Sequence, residues 1–196
     1  MRVLITEFMS LDGVVQAPGG PKEDTDGGFE HGGWSMKYFD PDVMGGTYDE
    51  LAKQSDALLQ GRRTYQVSAS AWPNRSGDPF SDWINGVQKY VVSDTLTDDD
   101  ITWKPTAIIR NADLASKVSE LREQPGGYIY VYGSPTMVRA LMAADLVDEL
   151  LLTIEPIVLG GGKTIWADNG EKREFNLVST AKAKTGAQVC RYERAR

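Results

Sequence analysis

Two stretches place a glycine between a strand-like run and a helix start, with side chains that could hold a phosphate. The first is Leu58-Leu59-Gln60-Gly61-Arg62-Arg63-Thr64-Tyr65, in which an apolar run stops at Gly61 and a helix opens on two guanidinium groups. Guanidinium forks grip phosphate oxygens through paired, charge-assisted hydrogen bonds. Two cations at the positive end of a helix dipole are poorly placed unless an anion or carboxylate neutralises them. The second is Tyr128-Ile129-Tyr130-Val131-Tyr132-Gly133-Ser134-Pro135-Thr136. Here an aromatic, β-branched run suits a buried strand, Gly133 is the turn, Ser134 is spelled as an N-cap and Pro135 as the first helical residue. Backbone N–H groups at such a turn face the C-terminal edge of a sheet, which suits an anion. The same spelling also serves an ordinary βα turn, and the first stretch a solvated basic helix start.

Other residues with chemical potential are few. Asp12 lies in the turn Ser10-Leu11-Asp12-Gly13 after a first strand, where it can bond a ligand's polar edge or its own backbone. Ser93 ends the strand-like run Lys89 to Ser93 and opens the polar turn Ser93-Asp94-Thr95. His31 is the sole histidine, so a Ser-His-Asp triad or multi-histidine metal site would have to be built around one residue in a glycine-rich loop. Cys190 is the sole cysteine and reads as a buried strand residue; one cysteine allows neither an internal disulfide nor a thiolate zinc cluster. Gly160-Gly161-Gly162-Lys163-Thr164 resembles the end of a P-loop, but Ile157 stands where that motif needs its first glycine, and Asp168-Asn169-Gly170 interrupts any following helix. Triple glycine still lets a backbone approach a planar ligand closely.

Positioning these residues requires alternating strands and helices. Arg2 to Met9 reads as a first strand, Asp56 to Gln60 as a second, Lys89 to Ser93 as a third and Thr106 to Arg110 as a fourth. Leu114, Val118 and Leu121 recur at helical spacing before Pro125-Gly126-Gly127 stops the helix. Asp40-Pro41 and Asp78-Pro79 are spelled as helix caps, and Thr47-Tyr48-Asp49-Glu50 as a capping box. Val147 to Ile154 is nearly continuous in apolar residues on both faces, as in a central strand, and Phe175 to Lys184 with Ala187 to Glu193 forms a closing hairpin around Thr185-Gly186. The pattern predicts an α/β three-layer domain with a mostly parallel sheet and an antiparallel edge. Two irregular regions stand out. Gln16 to Gly33 carries six glycines and mixed charge without a period, in keeping with a lid, a binding loop or a surface insert; Ala71 to Gly86 is the other.

The totals bound the remainder. At 196 residues and 41% hydrophobic content the chain fits a single domain over 1–196 with a substantial core. With 21 basic and 28 acidic residues the net charge is −7, which disfavours a nucleic-acid face or an anionic membrane surface. The N-terminal apolar run is broken by Glu7 and Asp12, and nowhere do 18 apolar residues run uninterrupted; cytoplasmic localisation is the expectation.

Five segments in order, SLDG (10–13), LLQGRRTY (58–65), KYVVS (89–93), VYGSPTMV (131–138) and EPIVLGGG (155–162), resemble the dihydrofolate reductase superfamily. The likeness is strongest to small bacterial proteins similar to the C-terminal reductase domain of the bifunctional riboflavin-biosynthesis enzyme, and it spans nearly the whole chain. The resemblance implies an NADPH-dependent oxidoreductase that reduces a pterin-like, ribosylaminopyrimidine-like or other small heterocyclic substrate, and a homodimer. It assigns Arg62, Arg63, Thr64 and Ser93 to the adenosine 2′-phosphate side of NADPH. Gly133, Ser134, Pro135 and Thr136 fall to the diphosphate, Leu159 and Gly160 to the cofactor and substrate cleft, and Asp12 to the substrate's polar edge as the catalytic candidate. No metal is implied. True dihydrofolate reductases carry a pterin-binding carboxylate a few residues after a Pro-Trp pair. Here Gly33 precedes Trp34, Ser35 follows it and Asp40 reads as a helix cap, so folate itself is not implied. No zinc motif of a cytidine-deaminase kind accompanies the domain. Two other readings remain: an NADP(H)-binding protein without catalysis, and a dimeric structural protein of the same fold.

Overall fold

Strand and helix alternate along the chain as the apolar periods predict. In the computed structural model, which describes residues 1–195, strand β1 (Arg2–Ser10) precedes an irregular stretch and helix α1 (Gly46–Lys53). Then follow β2 (Ser55–Gly61), α2 (Arg62–Ala71), α3 (Pro79–Gly86), β3 (Gln88–Val92), β4 (Thr106–Ile109), α4 (Leu114–Glu123), β5 (Tyr128–Tyr132) and α5 (Pro135–Ala143). β6 (Glu149–Glu155), β7 (Phe175–Lys182) and β8 (Gln188–Arg194) complete the order. The strands form one mixed sheet in the order β4-β3-β2-β5-β1-β6-β8-β7. β2 pairs parallel with β3 and β5, and β3 with β4; α2 and α3 carry the crossover from β2 to β3, whereas residues 93–105, with one 3-10 turn, carry that from β3 to β4. β8 pairs antiparallel with both β6 and β7, so the closing hairpin is the expected antiparallel edge.

The residues group into two compact units. One holds Met1–Ile5 and Thr47–Asp148; the other holds Thr6–Gly46 and the chain from Glu149 onward. In the first, Leu58, Leu59, Ile129, Val131, Val138 and Leu141 are fully buried, which fixes β2, β5 and α5 as its centre. Trp72, Phe80, Trp83 and Tyr130 add a ladder of ring contacts with centroids 5.1 to 6.3 Å apart. In the second, Val14, Ala17, Phe29 and Trp34 form a cluster on which Phe8, Ile157 and Leu159 pack, so the glycine-rich stretch contributes core residues of its own.

Local signals behave unequally. Asp78 caps α3 as spelled, accepting from the Ser81 N–H at 2.9 Å, and Asp40 accepts from the Asp42 N–H at 3.0 Å. The capping box at Thr47 is not the helix start, because a single π-helical turn over Pro41–Gly45 already leads into α1. Cys190 is buried in β8, as expected of a lone strand cysteine.

Lys89 is a lysine that the apolar strand β3 carries into the interior. Its ammonium donates to the carbonyls of Ile84, Asn85 and Val87 at 2.9 to 3.1 Å, satisfying the C-terminal end of α3, and lies 4.6 Å from the centroid of the Trp103 ring. Burial pushes it down to about 8, still above neutrality, so it remains charged where those acceptors need it. Lys89→Met is expected to lower stability by about 2 kcal/mol, since hydrogen bonds from a charged donor contribute more than neutral ones. Urea denaturation checks this, and an unchanged midpoint contradicts it.

Candidate functional site

In the first unit the two glycine turns are one interlocked structure. β2 runs parallel to β3 with Gly61 opposite Val92, and to β5 with Leu59 opposite Val131, so the strands end level at Gly61, Ser93 and Gly133. The Ser134 hydroxyl accepts the Gly61 N–H at 2.7 Å and donates to Thr64 Oγ1 at 2.8 Å. That commitment changes the role read from sequence. Ser134 stands at the N-cap position of α5 but makes no cap hydrogen bond, and its backbone is left-handed at φ 62°. The hydroxyl that would satisfy the first turn of α5 instead ties that turn to α2. A Cβ on Gly61 would meet Ser134 Oγ at 2.8 Å, and one on Gly133 would meet Thr64 Oγ1 at 2.9 Å. Both glycines are therefore needed for the approach of the two turns, and Gly133 also for its φ of +61°.

Neither α2 nor α5 has a side-chain cap, and no acidic residue stands in the first turn of either helix. Their first N–H groups have no intrahelical acceptors, and these two positive ends open at the C-terminal edge of parallel strands. Arg62 and Arg63 are exposed there, while Thr64, Pro135 and Thr136 flank them in the first turns. Electrostatically the corner is suited to an anion.

Ser93 lies beside this corner and is buried. Its Oγ accepts from the Thr95 and Leu96 N–H groups at 3.1 and 3.0 Å, so it shapes the turn that follows β3. The guanidinium of Arg110 braces that turn, donating to the Ser93 and Leu96 carbonyls at 2.8 and 2.9 Å. Asp94 accepts from Asn111 through both its backbone and side chain. Arg110 was not singled out from sequence. Its cue is an arginine at the end of a strand neighbouring β3. Beneath the corner, Gln60 donates to Ser68 Oγ at 3.0 Å, and Ser68 Oγ lies 2.7 Å from the Tyr132 hydroxyl.

In the second unit Asp12 joins two turns. Oδ1 accepts from the Ser10 hydroxyl at 2.6 Å and the Leu159 N–H at 3.1 Å; Oδ2 accepts from the Gly160 N–H at 2.8 Å. The Ser10 hydroxyl and these amides hold its carboxyl below the usual carboxylate range, so it is an acceptor near neutral pH. Leu159 and Gly160 are thus brought to Asp12. Gly160 has a φ of +79°.

The glycine-rich stretch is secured at several points. Trp34 Nε1 donates to the Gln16 carbonyl at 2.8 Å, and Gln16 Nε2 donates to the Asp24 and Asp26 carbonyls. Lys163 donates its N–H to Gln16 Oε1 and its ammonium to Asp24 and Asp26 at 2.5 and 2.9 Å. With Trp34 fixed, Ser35 donates at 2.6 Å to Oε1 of Glu155, the last residue of β6. Glu155 is fully buried and its Oε2 has no hydrogen-bond partner. Burial pushes its carboxyl up to about 7, against the smaller opposing effects of Ser35 and Lys37. In the sequence Glu155 opens the segment that follows the apolar run ending at Ile154; the one available signal is an acidic residue immediately after five apolar or neutral ones.

Parallel strands with an anion-suited edge, closed by an antiparallel hairpin, match the fold of the dihydrofolate reductase-like α/β proteins. The chain belongs to the family of the RibD C-terminal domain, whose model matches residues 2–189. It is 28% identical over 190 residues to the uncharacterized protein YyaP of Bacillus subtilis (strain 168), covering 94% of this chain and 90% of that one. It is similar in structure to a putative riboflavin biosynthesis protein from Shewanella sp. PV-4, with TM-score 0.77, 20% identity and full coverage of both chains. Dihydrofolate reductase from Enterococcus faecalis, solved with NADP(H), matches with TM-score 0.61 and 12% identity over 100% of this chain and 97% of that one. A Thermotoga maritima diaminohydroxyphosphoribosylaminopyrimidine deaminase/5-amino-6-(5-phosphoribosylamino)uracil reductase matches with TM-score 0.63 and 11% identity, this chain spanning 56% of its length. These likenesses establish the three-layer fold, and the family is one of reductase type. Among the described residues no helix is long and apolar enough to cross a membrane.

Proposed function

We propose that the chain, acting as one domain over 1–196, is an NADPH-dependent reductase of a small heterocyclic substrate. The observation that carries this is the interlocked corner of the first unit, where two uncapped helix starts and two exposed arginines stand together without a carboxylate in either first turn. NADPH held there by its phosphates would supply a hydride from its nicotinamide. Arg62 and Arg63 bind the 2′-phosphate and Thr64 and Ser93 shape that side. The backbone of Gly133, Ser134, Pro135 and Thr136 holds the diphosphate, and Leu159 and Gly160 adjoin the cleft. Asp12, held anionic, accepts a hydrogen bond from the substrate's polar edge. Glu155 holds a proton on its carboxyl close to neutral pH and serves as the proton store. The chain works as a cytoplasmic homodimer, which light scattering at twice the chain mass would support.

Arg62→Ala tests the cofactor assignment. A charged phosphate contact contributes about 1.5–3 kcal/mol, so NADPH affinity should fall about tenfold or more while NADH affinity barely changes. Equal loss for both cofactors contradicts the assignment. A second reading, NADP(H) binding without hydride transfer, is favoured by one observation: both carboxylate oxygens of Asp12 are already engaged within the protein. NADPH oxidation with a panel of pterins and aminopyrimidines separates the two.

A further inference from the structure

The second unit contains a hollow of about 480 Å³ between the glycine-rich stretch and the turn at 159–163. Gln16, Asp26, Phe29, Glu30, His31 and Lys163 are among its lining residues. Its wall is built on close approach: a Cβ on Gly162 would meet Val14 Cγ1 at 2.6 Å and Phe29 at 3.1 Å. The Phe29 and His31 rings meet edge to face with centroids 5.5 Å apart, leaving a partly aromatic rim.

Several donors that could receive a phosphate in this hollow are already taken. Lys163, the lining's one lysine, is paired with both Asp24 and Asp26. In the glycine turn the N–H groups of Leu159 and Gly160 go to Asp12, and that of Lys163 goes to Gln16. Glu30 adds a further exposed carboxylate, so in the lining the carboxylates Asp26 and Glu30 outnumber the single ammonium, which Asp24 also pairs. A phosphate monoester, about −1.5 to −2 at neutral pH, would enter against that excess. A planar ring with amino groups would find acceptors in Asp26 and Glu30, and an aromatic edge to rest on.

We propose that this hollow is the substrate subsite and that it selects an unphosphorylated, neutral or cationic amino-bearing heterocycle, excluding the phosphorylated form. The inference rests on the reductase reading for what happens to that ligand, but its test does not need the cofactor. Calorimetry on the full chain without NADPH would compare 5-amino-6-(ribosylamino)uracil with its 5′-phosphate at low salt. The unphosphorylated form should bind at least tenfold tighter, with the gap narrowing as salt screens the carboxylates. In the Asp24→Asn, Asp26→Asn double variant, which frees Lys163, the phosphorylated form should gain at least tenfold; circular dichroism confirms that the variant is folded. Asp26→Asn alone is the second variant and should show a smaller gain in the same direction. Equal or tighter binding of the phosphate by the unmodified protein, binding of neither form, or an unchanged preference in both variants overturns the proposal. NADPH affinity is read separately, and its absence counts against the reductase reading alone.

Discussion

Gly133→Val is expected to abolish NADPH binding and to cost the protein roughly 2–5 kcal/mol of stability, combining left-handed backbone strain with overpacking. Two independent facts produce this. Gly133 sits at φ +61°, where a β-branched residue is most strained, and its Cβ direction points at Thr64 Oγ1 and Cγ2, 2.9 and 3.0 Å away. Thr64 cannot simply rotate aside, because its Oγ1 accepts from Ser134, which in turn receives the Gly61 N–H. The two contributions separate in Gly133→Ala on a Thr64→Ala background, which removes the near atoms and leaves the φ strain. Urea melts and NADPH titrations of the four proteins in that cycle give the coupling. A Gly133→Ala variant with unchanged stability and unchanged NADPH affinity contradicts the account of the corner.

The second large effect concerns Glu155 and pH. Its carboxyl titrates near 4.5 in the unfolded chain and at about 7 when folded, so between those values the native state binds more protons than the unfolded one. Stability from this group is therefore fully present below pH 4.5 and is lost as pH rises through about 7. At about 1.4 kcal/mol per unit, the window is worth roughly 3 kcal/mol. Glu155→Gln keeps the Ser35 hydrogen bond to Oε1 and removes the titration. The variant should be more stable than the parent at pH 8, with the advantage shrinking towards pH 5. Parallel stability profiles for the two proteins across that range contradict a buried, proton-holding Glu155.

The sequence was informative where a local rule and the tertiary fold ask for the same residue. Gly61 and Gly133 were readable as strand-to-helix turns, and Arg62 and Arg63 as cations out of place at a helix start, because those conflicts are visible within a few residues. The strand alternation and the closing hairpin around Thr185-Gly186 were readable for the same reason. Ser134 misled, since the Gly61 amide that draws its hydroxyl away from capping lies 73 residues earlier. Glu155 was hidden more deeply: its environment is completed by Ser35, 120 residues away, at the end of a stretch with neither period nor motif. Gln16 and Lys163, which tie that stretch down, are likewise joined across 147 positions. Asp12 was readable as a turn residue, but its partners Leu159 and Gly160 were not.

The most direct test of the central claim is the affinity of the unmodified protein for NADPH and NADH, read by tryptophan fluorescence. A corner built from Arg62, Arg63 and two uncapped helix starts predicts tight binding of NADPH, with NADH at least tenfold weaker and the difference shrinking at high salt. Equal affinity for both cofactors, or binding of neither, would contradict it.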